Sequence, residues 1–129
     1  MIRRLRLSRS GAAAAEFALT VPTLLVIIFG MVQFGMVFWA NAGIQNGIGA
    51  GARTATLWPA RSDAEITAAM RNSMFGIDSA QLSAPVLVRG TSGTQKYVDI
   101  TVQYQTTWNM ILFQIPGIKL KQTRRAYIP

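Results

Sequence analysis

The carboxylates available for acid–base work are five: Glu16, Asp63, Glu65, Asp78 and Asp99. The chain has no His and no Cys. That excludes a Ser-His-Asp triad, an imidazole metal ligand, a thiolate zinc site and a cysteine nucleophile. Asp63 and Glu65 stand two apart, so they do not share a helix face. Asp99 has no partner evident in the sequence, and no glycine-rich phosphate loop is present. The residue inventory therefore argues against catalysis. Glu16 is the odd carboxylate, because it stands at the head of a long apolar run. A charge at the bilayer centre costs about 2.5–3.5 kcal/mol on insertion scales and less at the edge, so such residues are functional candidates. If the helix begins near Glu16, the dipole of its first turn favours the carboxylate by about 0.3–1 kcal/mol, with no function needed. Both readings stand on the residue alone.

The elements that position Glu16 follow from how the 129 residues are segregated. Half are hydrophobic, yet the formal net charge is +8. Arg3, Arg4, Arg6 and Arg9 crowd the start, and residues 17–52 carry no charge. The stretch Phe17–Ala40 would span roughly 36 Å as a helix at ~1.5 Å per residue. A bilayer core is about 30 Å thick, so this is a transmembrane helix. Trp39 sits near its far end, where interfacial aromatics are common. The positive-inside rule places the amino end in the cytoplasm and the chain from about residue 43 outside. The leading arginines are thus topological determinants. The other cations are scattered and no reader motif is visible, which leaves no case for nucleic-acid binding. Pro22 removes the helix hydrogen bond to the Ala18 carbonyl, a loss tolerated in membrane helices. Gln33 is a lone polar group at membrane depth, available to a neighbouring helix. Gly43, Gly47 and Gly51 recur every four residues and share one face. Small residues at this spacing let another helix approach closely. The competing reading is a flexible glycine-rich linker, since each Gly costs a helix about 1 kcal/mol relative to Ala.

Residues 54–129 read as a small α+β domain. Ser62-Asp63-Ala64-Glu65 has the form of a capping box. It should start a short helix that runs to about Phe75, with Ile66, Met70 and Phe75 as its apolar stripe and Gly76 as its stop. Val86–Arg89 is a short apolar run, residues 90–95 a polar turn. Tyr97–Gln105 alternates, with Val98, Ile100, Val102 and Tyr104 on one face, as a half-buried strand does. Pro116-Gly117 marks a turn before the last strand, 118–128. The expectation is an antiparallel sheet of about three strands with the helix against it. The run Trp108, Met110, Ile111, Leu112, Phe113 and Ile115 reads as core in preference to an exposed patch. Without a disulfide, so small a domain should lean on the stem or on neighbours.

The head of the chain resembles a known processing motif. A basic leader is followed by Ser10-Gly11, then Ala12-Ala13-Ala14-Ala15, then Glu16-Phe17 and the apolar run. This is similar to type IVb pilins of the Flp class, which usually carry Tyr where this chain has Phe17. The added outer domain narrows the resemblance to TadE-like pseudopilins of the tight-adherence (Tad) pilus system. Their helix continues into a small-residue stretch ending in an Ala-Arg pair, here Ala52-Arg53. The resemblance implies cleavage after Gly11 by a prepilin peptidase, so that the mature chain begins at Ala12. It implies a 1–11 leader, a 12–53 transmembrane and stem helix and a 54–129 extracytoplasmic domain. It further implies a non-catalytic role without a cofactor or small-molecule substrate, in the inner membrane. The partners would be membrane lipid, other Tad pilins or pseudopilins and inner-membrane assembly proteins. Glu16, fifth in the mature chain, would be the residue that pairs with a neighbour's new amine.

Two other readings remain. Ala40-Asn41-Ala42 is an A-x-A site, and signal-peptidase cleavage there would release a secreted protein starting at Gly43. The apolar region is, however, longer than the usual ~7–15 residues of a signal peptide. The other is an uncleaved single-pass envelope protein.

Overall fold

The computed structural model describes residues 9–106, 108–109, 114–115 and 117–129, with the backbone alone for 9, 10, 108, 109, 114 and 115. The first helix, α1 (Arg9–Ala55), contributes to two compact units, one ending at Phe34 and one running from Gly35 to Pro129. In the first unit, Leu19, Leu24, Ile27, Ile28, Met31 and Phe34 are all exposed. A helix apolar all round is stable only where it is surrounded by lipid or other apolar helices. Thr20 and Thr23 donate their hydroxyls to the carbonyls of Glu16 and Leu19, at 2.8 and 3.1 Å. Polar side chains are thereby satisfied inside an apolar segment.

The second unit is α+β. After α1 come α2 (Asp63–Asn72), a short 3₁₀ turn (Ser79–Gln81), β1 (Val86–Ser92), β2 (Gln95–Gln105), β3 (Trp108–Asn109), β4 (Gln114–Ile115) and β5 (Lys119–Ile128). The main sheet is antiparallel in the order β1-β2-β5, and β3 pairs β4 as a separate two-residue ladder. The inner face of β2 presents Val98, Ile100, Val102 and Tyr104, all buried. They join Ile66 and Met70 of α2 and Ala40, Ile44, Ile48, Ala52 and Ala55 of α1 in one core. Fully burying each large aliphatic side chain is worth about 1.5–3 kcal/mol. The stem therefore supplies a large part of the core that the outer residues lack by themselves.

The outer face of the sheet is held by cross-strand pairs. Register sets Tyr97 opposite Tyr127, Asp99 opposite Arg125 and Thr101 opposite Thr123. The two threonine hydroxyls lie 3.0 Å apart, and the tyrosine rings meet edge-on at 6.5 Å. Arg125 donates to both Asp99 oxygens at 2.7 and 2.8 Å, and its guanidinium lies 3.8 Å from the Tyr97 ring centre. Hydrogen bonds from Arg125, reinforced by its charge, hold the Asp99 carboxyl below the usual aspartate range. The same bond raises the Arg125 guanidinium. A depressed native value means the stabilisation is complete above the unfolded value of about 3.9 and is lost as pH falls through the native value. Asp99→Asn is thus expected to flatten the acid limb of the outer domain's stability curve and leave its shape above about pH 5 unchanged. Urea unfolding followed across pH checks this; an unaltered acid limb would remove the role given to the pair.

Several boundaries differ from the sequence expectation. The capping box forms in full, with Ser62 and Glu65 exchanging backbone–side-chain bonds. The Ser62 amide in particular lowers the Glu65 carboxyl. But α2 ends at Asn72, not near Phe75, because Ser73 and Met74 donate to Met70 and Arg71 in tighter turns. This lets Met74, Phe75 and Gly76 leave the helix and lie against α1. Gly76 takes φ +66° four residues beyond the helix end. The first hairpin turn is only Gly93-Thr94, narrower than 90–95. Gly93 at φ +62° fills the first central position, which a type II′ turn reserves for glycine. Gly90 stays in the strand with the Tyr97 ring over it. Helix α1 begins at Arg9, two turns before Glu16, so Glu16 is not in the first turn. In the uncut chain the dipole benefit, which falls off within that turn, does not account for it. Met110–Phe113 of the apolar run, like Arg3, Arg4 and Arg6, lie outside the described residues, and the side chains of Trp108 and Ile115 are not described.

Candidate processing and assembly segment

The head of α1 holds the residues expected to form a processing motif. Gly11, Ala12 and Glu16 are helical and exposed, and Phe17 is 71% exposed. Among the described residues, the Glu16 carboxylate makes no hydrogen bond or ion pair. Its own carbonyl accepts from Thr20, but its side chain is open to a partner. Ala12 precedes Glu16 by four residues, about 6 Å along a helix axis, on the same face. The alanines at 12–15 leave the surface around both positions low, which allows another backbone to come near.

The stem glycines lie in the second unit, against α2 and the segment after it. A Cβ built at Gly43 would fall on the backbone carbonyl of Phe75. One at Gly47 would meet the Met74 side chain and, at 2.8 Å, the Met70 carbonyl. One at Gly51 would lie 3.2 Å from Met70 Cβ and 3.4 Å from the Ile66 carbonyl. Gly43 and Gly47 therefore cannot take a Cβ without a backbone shift, whereas Gly51 is only tight. Gly30 and Gly35 have nothing within 4 Å of such a Cβ.

Other stem contacts are not evident from the sequence. Trp39 meets Phe75 edge-on at 6.1 Å and covers Gly76. Asn46 donates to the Ser73 carbonyl at 2.7 Å, and Asn41 accepts from Gln122 at 3.0 Å. The only signal for these is the presence of two asparagines in the uncharged stretch 17–52, and nothing local names their partners. At the other end of α2, Arg89 donates to Asp63 and to the Arg61 carbonyl, tying β1 to the helix start.

A long, exposed, apolar helix followed by a compact α+β unit is the architecture of a single-pass membrane-anchored protein. Residues 11–53 match the family model of the TadE-like proteins, so over the head and stem of α1 the chain is similar to that family. This is consistent with a TadE-like protein of the Tad pilus system. No curated protein and no solved structure matches the chain.

Proposed function

We propose that the chain is a pseudopilin or minor pilin of a Tad pilus, cut after Gly11 by a prepilin peptidase and acting by contact, without catalysis. The observation that carries this reading is the extent of the family match. It begins at Gly11, the residue before the proposed cut, and ends at Arg53 with the stem. In this reading, cleavage gives Ala12 a free amine with an ordinary pKa near 7.7–8.0. The Glu16 carboxylate of one subunit then meets the Ala12 amine of another. Two charges that would each be costly alone in hydrocarbon are paired, which fixes the register of neighbouring helices. The amino end faces the cytoplasm, and the α+β unit stands on the far side of the inner membrane.

The stem contacts weigh against release of a secreted form. A cut after Ala42 would remove buried Ala40 from the core, together with the Asn41–Gln122 bond and the Trp39–Phe75 contact. Processing is tested by co-expression with a prepilin peptidase and gel mobility of the membrane fraction. Shortening that needs the peptidase and is blocked in Gly11→Val is the expected result. Shortening without the peptidase, or equally in Gly11→Val, would overturn the reading.

A further inference from the structure

We propose that the outer unit pairs with a second copy of itself across the free edge of β1, with the α2 helices of the two copies side by side and Arg71 of one on Asp63 of the other. The sheet runs β1-β2-β5, so β1 and β5 each leave one edge. Among the described residues, no backbone hydrogen bond is made along the outer edge of β1. The two edges are guarded differently. β5 carries Lys119, Lys121, Arg124 and Arg125, and charges on an edge strand keep it from pairing with its like. β1 carries one charge, Arg89. Its register opposite buried Val98 turns it inward, where it bonds Asp63 and the Arg61 carbonyl. Val86 and Val88 stand on the outer face, 53% and 56% exposed. β1 is therefore an apolar edge whose one charge is engaged at the start of α2.

The flank of that edge favours a second copy. Asp63, Ala64, Thr67, Ala68 and Arg71 of α2 and Leu87 of β1 line an open cleft of about 570 Å³. A two-fold axis beside Leu87 sets β1 antiparallel to its copy, with Leu87 opposite Leu87 and Val86 opposite Val88. The same axis sets the two α2 helices antiparallel about Thr67. Asp63 and Arg71 each stand four residues from Thr67, about 6 Å along the helix on either side. Each therefore comes level with its opposite charge on the other copy. Both are free to meet. Among the described residues, Arg71 makes no ion pair. Asp63 receives Arg89 on Oδ1 alone, which leaves Oδ2 open. The ladder sets no like charges opposite one another, which would be destabilising. An isologous contact needs a patch that is its own complement, and this one carries both halves of its ion pair. Strand addition takes affinity from backbone bonds and specificity from side chains that enter the flanking cleft.

The chain contains no cysteine, so a single one can be placed at will. The full chain is purified, reconstituted in phosphatidylcholine vesicles and treated with a short, membrane-permeant bismaleimide. Thr67→Cys lies on the proposed axis. Thr94→Cys, in the hairpin turn seven residues beyond Leu87, lies about 24 Å from it at ~3.4 Å per residue. The expected result is a crosslinked dimer from Thr67→Cys and little from Thr94→Cys. Arg71→Glu added to Thr67→Cys should lower the yield several-fold, because it sets like charges together. Lys96→Glu, the same charge change away from the cleft, should leave the yield unchanged. Both side chains are exposed, so neither change disturbs the core. Equal yields at positions 67 and 94, or a loss with Arg71→Glu no greater than with Lys96→Glu, overturns the pairing. Monomer at both positions would leave the edge to a different chain and overturns it too. None of these outcomes bears on cleavage after Gly11, since the copies meet through the outer unit alone.

Discussion

Alanine at position 43 is expected to destabilise the outer unit by about 1–3 kcal/mol, the usual cost of overpacking a close contact. In an exposed helix the same change would stabilise by about 1 kcal/mol, since alanine is the better helix former. The sign reverses here because the new methyl falls on the Phe75 carbonyl, and backbone does not yield as a side chain does. Gly49→Ala is the internal control. Its methyl meets only the mobile end of Arg124 at 3.4 Å, so it should be neutral or mildly stabilising. Protease susceptibility of the membrane-embedded chain, measured against urea, separates the two variants. If Gly43→Ala resisted unfolding as well as Gly49→Ala, the close packing of the stem on the Phe75 backbone would not hold.

Glu16→Ala is expected to leave insertion intact and to lower assembly into pili at least tenfold. Insertion depends on the apolar segment from Phe17 to Ala40, which the change does not touch. Assembly, on the proposed reading, depends on a pair whose other half is the Ala12 amine of a neighbour. Removing one partner of a buried ion pair costs about 3–5 kcal/mol, and each 1.4 kcal/mol is a factor of ten. An amine titrating near pH 8 can shed its proton and recover part of that loss, hence the lower bound. Glu16→Gln keeps the shape and hydrogen bonding without the charge, so an equal loss in both variants identifies charge as the cause. Membrane-fraction yield measures insertion, and sheared-pilus yield measures assembly. Normal pili from Glu16→Ala would show that the carboxylate has no part in assembly.

The parts of this fold that are legible in the sequence are those set by local periodicity and local hydrogen bonding. Val98, Ile100, Val102 and Tyr104 alternate because β2 is covered on one face, and they are buried as the pattern requires. Ser62 and Glu65 cap α2 because their spacing alone brings each side chain to the other's amide. The boundaries that differ are decided by distant contacts. Phe75 has the spacing to extend α2, but its backbone lies against Gly43 instead. Gly90 reads as a turn residue and remains in β1, where the Tyr97 ring fills the space of its missing side chain. With α1 running back to Arg9, Glu16 lies beyond the first turn in the uncut chain, where the dipole does not account for it. The proposed processing motif rests on resemblance alone, since nothing in the physics of Gly11-Ala12 marks a peptide bond for cleavage.

The N-terminal residue of the chain reports directly whether that bond is cut. The membrane-purified protein, expressed with and without a prepilin peptidase, is analysed by intact mass and N-terminal peptide mass. A start at Ala12 only when the peptidase is present is the expected result. A start at Gly43, or an uncut chain in both samples, contradicts it.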